Sequence, residues 1–212
     1  MNYQYTLMEL LCFKVIDDVP FGQNGNINRM IIDWEESYQY SIELPPFTKV
    51  DINRMIVKWA ENLIMQENIS DSLLILASLD LDSTISEIDF KNYLNRYLIE
   101  NKISLPSLKF AHIVWLKFFL RHLLTLKDRN AIENTLSVFD VNFKMHPTSL
   151  FFSKLWSKLL KLNEYLFEFC CQTNVQRVDS MDDTELLRFI QNKLLPVLKI
   201  TQQFTDNFIL IE

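Results

Sequence analysis

Residues 105–126, LPSLKFAHIVWLKFFLRHLLTL, are the most apolar long stretch of the chain. Their reading separates a membrane helix from a core helix. Lys109, His112, Lys117, Arg121 and His122 interrupt the run too often for a membrane span. Pro106 suits the first turn of a helix, where its missing N–H costs nothing. We therefore expect a helix from Pro106 to about Leu126, buried over most of its surface.

Helical periodicity continues on both sides. Tyr5 to Ile16 is apolar nearly all round and predicts a buried helix that stops at Asp17-Asp18-Val19-Pro20. Thr48 and Asp51 are alternative caps for a helix carrying Ile52, Met55, Ile56, Trp59, Leu63 and Ile64 at three-four spacing. Ser70 or Asp71 starts another through Leu79. Ser86 opens a third, with Glu87 and Asp89 in the first turn, where carboxylates favour the helix dipole. Asp128 begins a helix through Ile132, Leu136 and Phe139. Pro147 begins a long one to about Cys171, whose narrow stripe of Lys154, Lys158, Lys161, Glu164 and Glu168 marks a central helix wetted along one edge. Asp179 to Asp183 leads the last, which Pro196 ends or kinks. Residues 25–48 stay open between helix and a short β-hairpin. The expected fold is all-α: one compact bundle of about seven to eight helices over 1–212, with 1–46 packed on a 47–212 helical core.

Composition narrows the chemistry. The 212 residues contain only two glycines, Gly22 and Gly25. Glycine-rich phosphate loops, and folds with many left-handed turns, are excluded by that count. No HExxH or GxSxG occurs, and no cysteine stands in a motif with a nearby histidine. His112 and His122 lie ten residues apart, and no acidic residue falls between 101 and 127 to partner them. We assign the histidines structural or surface roles. Cys12, Cys170 and Cys171 are an odd count with an adjacent pair, which does not suit a disulfide framework and fits a reducing cytosol. The N-terminus lacks the basic region and cleavage site of a signal peptide. Asp80, Asp82, Glu87 and Asp89 lack the glycine and oxygen alternation of a calcium loop. The expectation is a non-enzyme with no cofactor and no metal.

Charge is unevenly spread. The net value is −6, but residues 1–43 carry −5, 44–105 carry −3, 106–178 carry +5 and 179–212 carry −3. The acidic balance disfavours nucleic acid and anionic membranes as partners. The basic middle holds Lys109, Lys117, Arg121, Lys127, Arg129, Lys144, Lys154, Lys158 and Lys161. Seven of these nine fall on polar helix edges, where solvated charge is expected anyway. Tyr3, Tyr5, Trp34, Tyr38, Tyr40 and Phe47 sit among acidic residues. They are either anchors for a protein partner or the closing layer of the core.

The stretch LLILASLDLDSTISEIDFKNYLNRYL, residues 73–98, is an apolar helix, an acidic turn and a helix opening on Glu-Ile-Asp. In style and spacing it resembles the helical immunity proteins of bacterial toxin systems, contact-dependent growth inhibition among them. Counting residues 51–106, the likeness covers about a quarter of the chain. It implies a cytoplasmic antidote that binds one cognate toxin domain, often a basic nuclease. It carries over no functional residues. The partner-binding face we expect from charge and aromatics comprises Asp17, Asp18, Asp33, Trp34, Glu35, Glu36, Tyr38, Asp80, Asp82, Asp182 and Asp183. The alternative is a helical adaptor that holds nucleic acid or an acidic partner through residues 106–178.

Overall fold

A computed structural model describes residues 5–18, 52–65, 70–79, 86–143, 157 and 180–209. Among these residues the protein is all-helical, with no strand. Seven helices follow in order: α1 (Leu7–Asp17), α2 (Ile52–Ile64), α3 (Asp71–Ser78), α4 (Glu87–Glu100), α5 (Leu108–Leu123), α6 (Arg129–Phe143) and α7 (Asp183–Ile209). The open segment 25–48 and the long helix expected over 147–171 lie outside the described residues, apart from Ser157, which is helical.

Side-chain caps start most of these helices. Thr6 and Glu9 form a reciprocal capping box at α1. Ser70 accepts from the Leu73 amide, Ser86 from Asp89 and Ser107 from Phe110. Each hydroxyl satisfies one of the amides that a helix start leaves without a partner. α5 therefore begins at Leu108, two residues later than Pro106 suggests, because Ser107 is the cap and Pro106 precedes it.

α5 is the core of the described structure. From Phe110 to Leu120 every side chain is buried, including Trp115 and Phe119, whose rings stack at 5.4 Å. A helix apolar on all sides must be covered on all sides. α1 and α7 both pack against it. α1 continues the packing to α2, α2 to α3, and α3 to α4. One hydrophobic cluster draws residues from all seven helices, from Leu10 and Phe13 in α1 to Leu194 and Leu198 in α7. Tyr5 meets Phe13 and Phe118 edge-on at 5.5 and 5.2 Å. It thus closes the seam between α1 and α5, and of the two roles weighed for the exposed aromatics it takes the core one. Trp59 and Tyr97 make the corresponding contact between α2 and α4.

Pro196 does not end the last helix, which runs on to Ile209. Pro196 and Asn192 are both exposed. Asn192 is the residue whose carbonyl the proline leaves unbonded, while Ile190, Leu194, Val197 and Leu198 stay buried and carry the helix through.

The scarcity of glycine leaves one visible trace. α4 ends in a Schellman turn, with Ile103 N–H donating to the Leu98 carbonyl and Lys102 N–H to that of Ile99. The left-handed position of that turn, usually glycine, is held by Lys102 at φ 55°, the only non-glycine residue with positive φ among the described residues. A side chain there costs about 1 kcal/mol. Lys102→Gly should raise the unfolding free energy in urea by roughly that amount, without changing the helical circular dichroism.

Candidate functional site

Polar chemistry inside the structure gathers at the two ends of α1. At the C-terminal end, Lys14 is buried, with its side chain 5% exposed. Its Nζ lies 3.0 Å from Asp18 Oδ1 and 3.1 Å from Glu87 Oε1, and over the Phe90 ring. Glu87 opens α4 and is the hub of this cluster. Its other carboxylate oxygen accepts from Asn53 Nδ2 of α2 at 2.7 Å, and Lys91 Nζ stands 3.2 Å away. Lys91 also reaches Asp18 at 3.7 Å. Partial burial raises the Glu87 carboxyl, but Lys14, Lys91 and Asn53 outweigh it and hold the group below the usual carboxylate range. Three helices distant in sequence are joined at one carboxylate.

At the N-terminal end, Lys117 of α5 is 7% exposed, and its Nζ lies 2.9 Å from Glu9 Oε1. The other oxygen of Glu9 accepts the Thr6 amide, so one side chain both caps α1 and neutralises a buried cation. The Lys117 ammonium also sits over the face of Phe118, 4.9 Å from its centre. Lys117 therefore leaves the set of solvated helix-edge cations in which the sequence pattern places it. Arg129 is drawn inward as well, to the Met181 carbonyl and to Asp183 Oδ1 at 3.6 Å.

The residues expected to form a partner face are distributed as follows. Asp17 closes α1. Asp18 caps it and is shared by Lys14 and Lys91. Asp182 caps α7 by accepting the Glu185 amide at 2.8 Å, and Glu185 returns the bond to the Asp182 amide. Asp183 pairs with Arg129. Asp18 is thus tied to α4, while the Asp182–Asp183 pair is tied to the start of α6. Asp33, Trp34, Glu35, Glu36, Tyr38, Asp80 and Asp82 lie outside the described residues. Of the four acids that can be placed, Asp182 caps a helix with its side chain, and Asp18 and Asp183 stand in ion pairs. Glu9 and Glu87, which sequence reading gave only capping roles or none, carry the long-range electrostatics. The available signal was a lysine inside each apolar run, at positions 14 and 117.

His112 is buried on α5, and burial holds its imidazole down to about 4. His122, half-buried near the end of α5, is lowered by the same cause. Cys12 is buried in α1 as a small apolar side chain. Among the described residues no group of three or more His, Cys, Asp or Glu is placed to hold a metal ion, and no helix is long and apolar enough to cross a membrane. Comparison with known protein families, with curated proteins and with solved structures finds no match to this chain.

The His112 geometry fixes a pH dependence. The folded protein keeps this imidazole neutral to about pH 4, whereas the unfolded chain protonates it near 6.5. The unfolded state therefore binds the extra proton in that window, and stability falls as pH drops from 6.5 towards 4. A shift of this size corresponds to about 3 kcal/mol. Urea unfolding across that range should show the loss in the parent chain, and His112→Gln should flatten it.

Proposed function

We propose that this protein is an immunity-type antidote, which binds a cognate bacterial toxin domain, a basic nuclease, and neutralises it by protein–protein contact. One observation supports this reading above the rest. Two lysines, Lys14 and Lys117, are turned inward, the second with Glu9 at 15% exposure, whereas the acids at other helix ends stay in water. Lys14 and Lys117 are 5% and 7% exposed, while Asp18, Glu87 and Asp183 are 41%, 51% and 58% exposed. A chain at −6 thus keeps an acidic balance outside, with Lys14, Lys117 and Glu9 inside. Such a surface steers a basic partner and speeds its encounter, and buried aromatic contacts then slow its release. The same inward turn counts against the adaptor reading. In the described part of residues 106–178, Lys117 and Arg129 are committed to internal partners and contribute little to a basic face.

The test is direct. The chain is mixed at low salt with the basic toxin domain encoded upstream of it, and the product is sized. A stoichiometric complex is expected, with an association rate that falls steeply as ionic strength rises. Absence of a complex at low salt overturns the proposal. Mobility-shift binding of duplex DNA or RNA would favour the adaptor instead.

A further inference from the structure

The outer face of α4 reads almost the same in both directions. From residue 88 to residue 99 the sequence is IDFKNYLNRYLI. Reversal exchanges Ile88 with Ile99, Phe90 with Tyr97, Lys91 with Arg96 and Asn92 with Asn95. Phe90, Leu94, Tyr97 and Leu98 face the core. On the opposite side Ile88 and Ile99 are 72% and 77% exposed, among the most exposed large apolar side chains described. Their spacing is three helical turns, which puts them on one line, about 16 Å apart along the axis. Asn92 and Asn95, both exposed, complete the stripe between them.

We propose that α4 is a self-association face, through which two copies of this chain pair antiparallel about a two-fold axis. A two-fold contact requires residue i to meet j while j meets i, and a palindromic stripe supplies that. Centred between Tyr93 and Leu94, the pairing sets Ile88 on the partner's Ile99 and Asn92 beside the partner's Asn95. Carboxamides donate and accept at once, so the two asparagines complement each other. Charge agrees with this register. Asp89 and Arg96 share one flank of the stripe, and antiparallel pairing brings Asp89 within about 3 Å, along the axis, of the level of the partner's Arg96. Symmetry repeats that contact. Within the chain Arg96 uses Nε for Glu100, at 2.8 Å, and its side chain is 54% exposed. Lys91, on the other flank, is balanced by Glu87 and Asp18. One helix per copy makes a small interface, of the size class of weak, transient contacts.

Sedimentation equilibrium of the chain alone tests this, and because no toxin is present the outcome is independent of the antidote reading. A monomer–dimer equilibrium is expected at about 10–100 μM. Ile99→Asp should abolish it with the helical spectrum unchanged. Asp89→Arg should weaken it at least tenfold, and Asp89→Arg combined with Arg96→Asp should restore it. A chain that stays monomeric near 1 mM, a dimer indifferent to Ile99→Asp, or a charge swap that fails to restore association would overturn the proposal.

Discussion

The burial of α5 on every side is the constraint from which the rest of the described structure follows. A helix of this kind has no wet edge for a charged side chain, yet Lys117 stands in its middle. Removing an ammonium from water costs several kcal/mol unless a counter-charge goes in with it. No acid occurs between residues 101 and 127, so the counter-charge must come from elsewhere in the chain. Glu9 supplies it, from the first turn of α1. The same carboxylate closes the capping box with Thr6. The start of α1 and its placement on α5 are therefore set by one side chain, and the Tyr5–Phe13–Phe118 ring cluster packs the seam beside it. Sliding α1 by one turn along α5 would strand the Lys117 charge.

The other end of α1 repeats the logic with a different helix. Lys14 is buried against Phe90, and Glu87 answers it across α4. Both lysines serve as internal ties between helices that are remote in sequence. The consequence for function is a matter of sign. Cations spent inside cannot attract phosphate outside, while the carboxylates that hold Lys14 keep much of their surface in water. The acidic balance of the chain on an apolar helical scaffold is the physical content of the antidote we propose.

Local features were legible in the sequence. Ser70, Ser86, Asp128 and Asp182 each start a helix where a polar residue precedes an apolar periodic run, because capping is decided within one turn. The apolar spacing of residues 52–64 and 105–126 reads directly as helix for the same reason. Long-range pairings were not legible. Glu9 and Lys117 are 108 positions apart, and Lys14 and Glu87 are 73 apart. Nothing in local spacing links them, and Lys117 taken alone looks like an ordinary solvated charge. Pro196 misled in the other direction. Its local rule predicts an end or a kink, but the helix continues past it, held by four buried side chains. Of the expected partner face, Asp182 serves as a cap, and a carboxylate at a helix start looks the same whether it binds a backbone amide or a protein partner; Asp18 and Asp183 pair with cations from other helices.

The dependence of α1 and α5 on one buried ion pair is tested most directly by a double-mutant cycle on Glu9 and Lys117. Glu9→Gln removes the charge but keeps a capping side chain, and it should cost about 3–5 kcal/mol by leaving Lys117 buried without a counter-ion. Adding Lys117→Met should recover most of that loss, because the pair is then replaced by neutral groups of similar size. A Glu9→Gln variant as stable as the parent, or a double variant whose losses simply add, would contradict the account.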